Sequence, residues 1–385
     1  MCSTKNAESD EEKRDWYKLK KNILVIDDSA LMRRVLSDII NSDPRFQVTD
    51  LAVNGLEGLD ILIKKSFDAV VLDINMPKMN GLELMEQVKK HRIRTKVIIV
   101  STVAKEGAYE TIRALELGAF DFVTKPESFY ETKSDSFRNK LLDTISYATH
   151  TYKMGKSELF RNAKQENIIK SPADPVLRQK SSEVKKLTKA SFGKRKLVAL
   201  ACSTGGPRAL QSVVPLLPKN LNAPFLIVQH MPAGFTNSLA LRLNEMSELN
   251  VKEAAAGDVL QPGNVYIAKG GNHMRIHTKG LESVISLDSD EPRSGLRPCA
   301  DYMYESLLDS KYDSILCVVL TGMGSDGTKG IMKLNETKNI YVVAQDMETS
   351  TVYGMPKAVA KAGLVDEVLP LEQIKDAITR YAGVQ

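Results

Sequence analysis

A serine stands at the end of an apolar run in the segment VALACSTGGPRAL, residues 198–210. The run predicts a buried strand and the residues from Pro207 predict a helix, so Ser203 should lie in a strand-to-helix turn. A nucleophilic serine needs a general base within hydrogen-bonding reach and donors for the oxyanion, which such a turn can present. A glycine-rich turn can equally wrap a phosphate, and these residues alone allow both interpretations.

The residues that could activate Ser203 lie after two further apolar runs. His230, one of five histidines, ends the run PFLIVQH, and Asp326 lies in the glycine-rich part of VVLTGMGSDGTKG. The ends of parallel strands share one edge of a sheet, so these side chains should emerge beside Ser203. His230 would take the serine proton, and Asp326 would hold the imidazole tautomer. His273, in GGNHM, is the alternative base.

The oxyanion donors are predicted to be backbone N–H groups. Residues 204–206 precede the helix that Pro207 can start, and N–H groups at a helix N-terminus favour negative charge. The N–H of Thr204 is therefore the natural first donor, and a second could come from the TGMG turn at residues 321–324. Hydrolysis by such a set of residues is expected to need no cofactor.

A second group of chemically active residues lies in the first third of the chain. Asp27 and Asp28 follow the apolar run NILVI, and Asp73 ends the run AVVLD. Three carboxylates at one sheet edge repel one another unless a cation neutralises them, and oxygen ligands suit Mg²⁺. A metal-bound Asp73 could attack a phosphoryl group and form an aspartyl-phosphate.

A hydroxyl group and an ammonium group end the next two apolar runs. Ser101 follows KVIIV, with Thr102 as the alternative hydroxyl, and Lys125 follows FDFVT. Ser101 could donate a hydrogen bond to an added phosphate, and Lys125 could neutralise the charge of that phosphate.

The elements that must position these residues alternate between strand-like and helix-like runs in both halves of the chain. This rhythm predicts an α/β protein with two doubly wound parallel sheets, flavodoxin-like in the first domain and Rossmann-like in the second. We predict an N-terminal extension at residues 1–21, the first domain at 22–140, a linker at 141–192 and the second domain at 193–385.

The composition argues against several classes of protein. The chain is 43% hydrophobic and 26% charged, which is typical of globular proteins. It has no apolar stretch of spanning length and no signal-peptide pattern, so we expect a cytoplasmic protein without membrane insertion. Residues 131–196 are strongly basic, but no helix-turn-helix pattern accompanies the charge, and no nucleic-acid partner is expected.

Five side chains follow successive strands in an order that resembles the receiver domain of bacterial response regulators: Asp27, Asp28, Asp73, Ser101 and Lys125. The resemblance covers about residues 22–140. It implies that Asp73 is the phosphoacceptor and that a histidine kinase is the phosphodonor. It also implies that the three acids and the backbone carbonyl of Asn75 hold Mg²⁺. Ser101 matches the switch hydroxyl of the family, and Lys125 matches its lysine.

Four segments of the second half resemble, in the same order, the chemotaxis-type protein-glutamate methylesterase domain: CSTGGP, QHMPAGFT, LTGMGSDG and YGMP. The resemblance implies that Ser203 is the nucleophile, His230 the base and Asp326 the orienting acid. It also implies that the backbone N–H groups of Thr204 and Met323 face the oxyanion.

The same resemblance, over about residues 193–385, implies the substrate and its regulation. The family hydrolyses γ-glutamyl methyl esters on chemoreceptor helices, and members also deamidate glutamines there. The unphosphorylated receiver would pack over the catalytic cleft until phosphorylation of Asp73 shifts the population toward an open form. The sequence departs from the family pattern at five positions, none of which is a predicted catalytic residue: Cys202, Lys269, Cys299, Ala300 and Ser325.

Two alternatives compete with the hydrolase, and both keep the receiver domain. In one, the second domain binds a phosphate or nucleotide with STGG as the cradle, although no GxGxxG or GxxxxGK pattern is present. In the other, the protein is a DNA-binding response regulator that uses its basic linker. Steep salt dependence of DNA affinity would favour the second alternative.

Overall fold

The computed structural model describes residues 20–102, 105–126, 134–151 and 195–384. These residues form two α/β domains, each with helices packed against a parallel sheet. None of the helices in these ranges combines the length and the apolar character that crossing a lipid bilayer requires.

Within the described residues, the first domain consists of strands that alternate with helices along the chain. The elements are Lys21–Ile26 (β1), Ala30–Asn41 (α1), Phe46–Ala52 (β2), Gly55–Lys64 (α2), Ala69–Asp73 (β3), Gly81–Lys90 (α3), Lys96–Ser101 (β4), Lys105–Glu116 (α4), Asp121–Thr124 (β5) and Asp135–Ala148 (α5). The strands pair in parallel in the order β2-β1-β3-β4-β5. This is the doubly wound sheet that the sequence predicts.

The central strand and the helix caps explain why this sheet forms and where its loops turn. Every residue of β3 is buried, because helices cover both faces of a parallel sheet. The hydroxyl of Ser29 caps α1, and Asn80 forms a capping box with Glu83 at the start of α3. The loops after β1 and β3, which carry the predicted acids, therefore turn at fixed places.

The last helix of the first domain corrects a predicted boundary. The predicted limit at residue 140 falls inside α5, and Leu141, Leu142 and Ile145 of this helix are buried in the core of the first domain. Residues 141–148 therefore belong to the first domain rather than to a linker, because α5 buries an apolar face that a linker would expose. Residues 152–192 of the predicted linker, residues 193 and 194 of the predicted second domain and residues 1–19 of the predicted extension lie outside the described residues.

The second domain continues the alternation and adds a hairpin. Its strands are Lys196–Cys202 (β6), Phe225–Gln229 (β7), Asn250–Glu253 (β8), Asn264–Ile267 (β9), His273–Lys279 (β10), Glu282–Asp288 (β11), Ser314–Val319 (β12), Asn339–Gln345 (β13) and Glu367–Leu369 (β14). Its helices are Gly206–Val213 (α6), Phe235–Met246 (α7), Ala300–Ser306 (α8), Thr328–Thr337 (α9), Met355–Lys361 (α10) and Leu371–Ala382 (α11).

Seven of these strands form one parallel sheet in the order β14-β13-β12-β6-β7-β9-β8, which confirms the predicted second parallel sheet. The remaining two, β10 and β11, pair with each other as an antiparallel hairpin. The sequence did not predict β8, β10, β11 or β14 as strands. The edge strands β8 and β14 are only four and three residues long, too short for a clear hydrophobic period.

The cores of the two domains meet. One apolar cluster of buried side chains includes Ile26 and Leu72 of the first domain together with Leu200 and Ile227 of the second. The opposite face of the second sheet packs its own cluster, which includes Ala199 and several residues of α8 and α9. The first domain is thus in apolar contact with one face of the second.

Candidate functional site

Three neighbouring strands bring the predicted catalytic residues to one edge of the second sheet. β6 lies between β12 and β7 in the sheet, and all three strands run in parallel. Ser203 follows β6 directly, His230 follows β7 directly, and Asp326 lies in the loop that leads from β12 to α9. The carboxyl ends of parallel strands are where ligands bind in such sheets, so the three residues share the expected position.

His230 and Asp326 form a tight, largely buried pair. The ring Nε2 of His230 lies 2.7 Å from Oδ2 of Asp326, and their side chains are 9% and 5% exposed. The same carboxylate accepts hydrogen bonds from the backbone N–H groups of Ala300 at 2.6 Å and Asp301 at 3.0 Å, at the start of α8. The thiol of Cys299 donates to its Oδ1 at 3.1 Å.

These contacts decide the charge of Asp326. Burial by itself would raise the pKa of the carboxyl group, but the hydrogen bond and charge of His230 and the N–H group of Ala300 hold the pKa well below its usual range. Asp326 is therefore a fixed carboxylate. Since it engages Nε2, the Nδ1 atom of His230 is the ring nitrogen left for a serine proton.

Ser203 is held to its neighbours by backbone groups. Its N–H donates to the carbonyl of Thr321 at 3.0 Å, and its carbonyl accepts from the N–H of Gly206 at 2.7 Å. The amide nitrogen of Gln229 donates to the carbonyls of both Ser203 (3.1 Å) and His230 (3.2 Å). The Ser203 hydroxyl makes no hydrogen bond with His230 in the described residues. Catalytic hydrogen bonds are often formed only once substrate is bound, so the absence of this bond does not exclude Ser203 and His230 as nucleophile and base.

The glycines after Ser203 serve packing and chain direction. Gly205 has a φ of +77°, which disfavours any side chain at this position. A Cβ atom at Gly206 would overlap the amide oxygen of Gln229, and its nearest other neighbour would be the sulfur of Cys202 at 3.0 Å. Both glycines are therefore required for the tight turn between β6 and α6, irrespective of any phosphate.

The two predicted oxyanion donors lie on adjoining turns. Neither the N–H of Thr204 nor the N–H of Met323 donates a hydrogen bond to any described residue. The TGMG turn packs directly on the serine, since a Cβ atom at Gly322 would lie 2.8 Å from Cβ of Ser203. The hydroxyl of Thr321 ties the two turns together by donating to the carbonyl of Thr204 at 2.9 Å.

The alternative base, His273, has a different environment. It lies at the start of β10 and is fully buried. Its Nε2 lies 3.3 Å from the carbonyl oxygen of Glu291, and its ring packs edge-on against Tyr302 with centroids 4.7 Å apart. A histidine enclosed in this way cannot meet a substrate, so His230 is the better candidate.

In the first domain, the three predicted acids and the predicted lysine meet at the carboxyl edge. Oxygen atoms of Asp27, Asp28 and Asp73 lie within 4.8 Å of one another. Nζ of Lys125 lies 2.9 Å from Asp27 and 2.7 Å from Asp73. An all-oxygen donor set of this kind suits a hard divalent cation.

The charges in this cluster are coupled. Burial raises the pKa of the Asp73 carboxyl group, although the ammonium group of Lys125 opposes that shift. Burial would lower the pKa of Lys125, but the charges of Asp73 and Asp27 outweigh it and raise the pKa. Lys125 is thus kept protonated, as a partner of anionic groups should be.

Ser101 and Asn75 lie at the ends of β4 and β3, where the sequence places them. The Ser101 hydroxyl is buried and contacts the carbonyl of Gly107 at 3.3 Å, in the first turn of α4. It makes no hydrogen bond to Asp73 in the described part of the chain. Thr102, the alternative hydroxyl, is exposed, as is Asn75, two residues after Asp73.

Comparison with known proteins matches both halves of the chain. The family model for the CheB methylesterase matches residues 198–378, and the model for the response regulator receiver domain matches residues 23–134. A protein-glutamate methylesterase/protein-glutamine glutaminase from Symbiobacterium thermophilum is 41% identical, over 94% of this chain and 97% of its own length. The chain belongs to the protein-glutamate methylesterase/protein-glutamine glutaminase family.

One further curated relative supports that placement, and a solved structure is similar to part of the chain. The protein-glutamate methylesterase/protein-glutamine glutaminase 1 of Syntrophomonas wolfei is 39% identical over 93% of this chain and 98% of its own length. The crystal structure of the Thermotoga maritima CheB methylesterase catalytic domain is 43% identical, with a TM-score of 0.47, and covers 48% of this chain and 98% of that chain. Because the methylesterase family model and the curated relatives match the second half of the chain, a nucleotide-binding or DNA-binding output domain is not favoured.

In this family member, the receiver domain packs directly on the loops that carry the catalytic residues. The hydroxyl of Thr204 donates to the carboxylate of Asp121, on β5, at 2.6 Å. The ring of Phe122 stacks on that of Phe235 with centroids 4.6 Å apart. The resemblance implied that the receiver packs over the cleft, but the sequence did not identify these contact residues, because a polar residue at the start of a strand carries no signal of a partner in another domain.

A second contact between the receiver and the methylesterase domain is ionic, and residues of both domains also line a cavity. Glu116, at the end of α4, accepts from Nε of Arg242 at 2.6 Å and from its second guanidinium nitrogen at 3.3 Å. A cavity of about 560 Å³ is lined by Gly324 and Ser325 of the catalytic loop, by Tyr147 of the receiver and by His150, which follows the receiver's last helix. The receiver thus forms one wall of the space beside the catalytic loop.

The low pKa of Asp326 makes a prediction about stability. The ionised form is stabilised in the folded state, so its contribution is complete above the usual carboxyl pKa of about 4 and is lost as the pH falls through the lower folded value. Asp326→Asn should therefore cost about 2 kcal/mol in the free energy of unfolding at pH 7, and less at pH 3.

Urea titrations followed by circular dichroism at several pH values would measure this difference. Asp60→Asn, at an exposed position on α2, is the control and should change little at either pH. A cost for Asp326→Asn that stays constant from pH 7 to pH 3 would contradict a carboxylate of lowered pKa.

Proposed function

We propose that this chain is a phosphorylation-regulated serine hydrolase that acts in the cytoplasm. It removes methyl groups from γ-glutamyl methyl esters of chemoreceptors and deamidates receptor glutamines. The observation that carries the proposal is the His230–Asp326 pair at 2.7 Å, on strands next to the one that presents Ser203. The printed names of the relatives, which pair a methylesterase with a glutaminase, supply the substrate class.

Acylation begins at the serine hydroxyl. Ser203 Oγ attacks the carbonyl carbon of the ester as Nδ1 of His230 takes the hydroxyl proton, and Asp326 stabilises the imidazolium that forms. The N–H groups of Thr204 and Met323 would donate to the oxyanion, and both are free of hydrogen bonds to the described residues. Collapse of the tetrahedral intermediate expels methanol, which receives the proton from His230.

Deacylation uses the same groups. Water loses a proton to His230 and attacks the acyl-serine carbon, and the glutamate carboxyl group leaves as Ser203 regains its proton. Deamidation follows the same two steps with ammonia as the leaving group of the first. One site can therefore perform both reactions, because only the leaving group differs.

The receiver domain would take its phosphoryl group from a histidine kinase onto Asp73. The residues that would hold Mg²⁺ are Asp27, Asp28, Asp73 and the carbonyl of Asn75, and the bound ion would neutralise charge on the phosphoryl oxygens. Lys125, which contacts Asp27 and Asp73, would pair with the added phosphate. Ser101, at the start of the segment leading to α4, would supply the switch hydroxyl.

Coupling between the domains follows from where they touch. Thr204 is both the proposed oxyanion donor and the partner of Asp121 in the receiver. We propose that the unphosphorylated receiver restrains this turn and covers the cleft, and that phosphorylation of Asp73 weakens the interface.

Receiver and hydrolase are assigned to residues 22–148 and 193–385, since α5 packs in the first domain.

Ser203→Ala tests the nucleophile. Incubated with methylated chemoreceptor fragments, this variant should release methanol at least about 10⁴-fold more slowly, because no other group forms the acyl-enzyme. Phosphorylation of Asp73 by acetyl phosphate should be unchanged, since the acidic cluster lies in the other domain. Methanol release that survives in Ser203→Ala would refute the triad.

Asp121→Ala tests the coupling. Loss of a hydrogen bond to a charged group weakens the interface, so hydrolysis without phosphodonor should rise about tenfold and stimulation by phosphodonor should shrink. The matched control is Asp60→Ala, an exposed aspartate of the receiver. Asp121→Ala activity equal to that of the wild type in both conditions would rule out restraint through Thr204.

Chelation of divalent cations separates the two chemistries. EDTA should abolish phosphorylation of Asp73, because the remaining carboxylates repel the incoming phosphoryl group. It should leave hydrolysis by Asp73→Asn unchanged, as the triad uses no metal. Inhibition of that hydrolysis by EDTA, with recovery on adding Mg²⁺, would show that the hydrolase depends on a metal.

A further inference from the structure

Gln229 occupies a central place between the two catalytic loops. It is the last residue of β7 and is only 2% exposed. Its amide nitrogen donates to the carbonyls of Ser203 at 3.1 Å and His230 at 3.2 Å, and its amide oxygen accepts from the thiol of Cys202 at 3.0 Å. Both N–H groups of the amide are therefore used to join the nucleophile's loop to the base's loop.

Few other contacts in the described residues fix this separation. The Ser203 hydroxyl makes no hydrogen bond to His230, so the two catalytic side chains do not position each other. The β6–β7 ladder ends at the pair Cys202–Gln229, and one backbone bond follows it, from the N–H of His230 to the carbonyl of Cys202 at 3.2 Å. Beyond the end of the ladder, the Gln229 amide is the cross-link.

We propose that Gln229 is a positioning residue that holds Ser203 and His230 at their working separation, and that the thiol of Cys202 fixes the orientation of its amide. The inference rests on the proposed function and adds residues that act through the triad. Two carbonyl oxygens that approach each other repel unless a donor lies between them, and the amide supplies one N–H group to each.

The role of Cys202 follows from the symmetry of an amide. Rotation by 180° would exchange nitrogen and oxygen and place the amide oxygen against two carbonyls. A thiol donor on the other side favours the observed orientation, and burial raises the pKa of Cys202, so the thiol stays protonated. Gly206 leaves room for this arrangement, since a Cβ atom there would overlap the amide oxygen. This explains a sulfur beside the nucleophile.

Gln229→Met tests the cross-link, because methionine has a similar volume but no donor. We expect kcat for methanol release to fall about a hundredfold while KM for the methylated receptor fragment stays within about twofold, as expected when catalytic geometry rather than binding is lost. Gln47→Met is the matched control: Gln47 donates to Asn22 at 2.7 Å in the first domain, and its loss should not change kcat.

Substitutions at Cys202 test the orientation of the amide independently. Cys202→Ser keeps a donor and should retain most of the wild-type kcat. Cys202→Ala should lower kcat about fivefold, which corresponds to the free energy of one neutral hydrogen bond. If the Cys202 side chain only filled space, its contribution would depend on volume, and Cys202→Ser and Cys202→Ala would have similar kcat values. Circular dichroism and Asp73 phosphorylation would verify that each variant is folded.

The outcomes separate this inference from the proposed function. Wild-type kcat in Gln229→Met, or a rise in KM at unchanged kcat, would overturn the positioning role. If Gln229→Met fails to fold, equal kcat in Cys202→Ser and Cys202→Ala would overturn it instead. Full activity of Ser203→Ala in the same assay would overturn the proposed function itself, whatever the Gln229 variants do.

Discussion

The catalytic half of this molecule depends on one buried carboxylate. Asp326 is stable in its ionised form only because His230 and the first N–H groups of α8 surround it with donors. That requirement fixes the ring of His230, the start of α8 and the loop after β12 relative to one another. Ser203 is then set against this group by the neighbouring strand β6 and by the Gln229 amide.

The regulatory half is organised by a similar constraint, but the group that needs partners of opposite charge is an ammonium group rather than a carboxylate. Lys125 balances Asp27 and Asp73, so an added phosphoryl group on Asp73 must reorganise the contacts of that lysine. In the proposed coupling, β4 and β5 would transmit this change toward the hydrolase, because Ser101 precedes α4 and Lys125 follows β5. The opposite ends of the same elements, Glu116 of α4 and Asp121 of β5, touch the hydrolase.

Much of this arrangement could be predicted from the sequence. Apolar runs that end in Ser203, His230 and the acids of the first domain indicate parallel strands whose carboxyl ends present the functional side chains. The contacts of Cys299 and Gln229 could not be predicted, although a polar residue ending a buried strand, such as Gln229, is a usable signal. The short strand β14 and the partner of Asp121 depend on tertiary packing, which no local pattern encodes.

The most direct measurement is to trap the covalent intermediate. The full chain would be mixed with a methylated receptor fragment, quenched in acid within the first turnovers and digested, and the peptides analysed by mass spectrometry. The account predicts a γ-glutamyl acyl adduct on the peptide that contains Ser203, and no adduct after Ser203→Ala. Steady methanol release with no adduct on that peptide, or with an adduct on another residue, would contradict it.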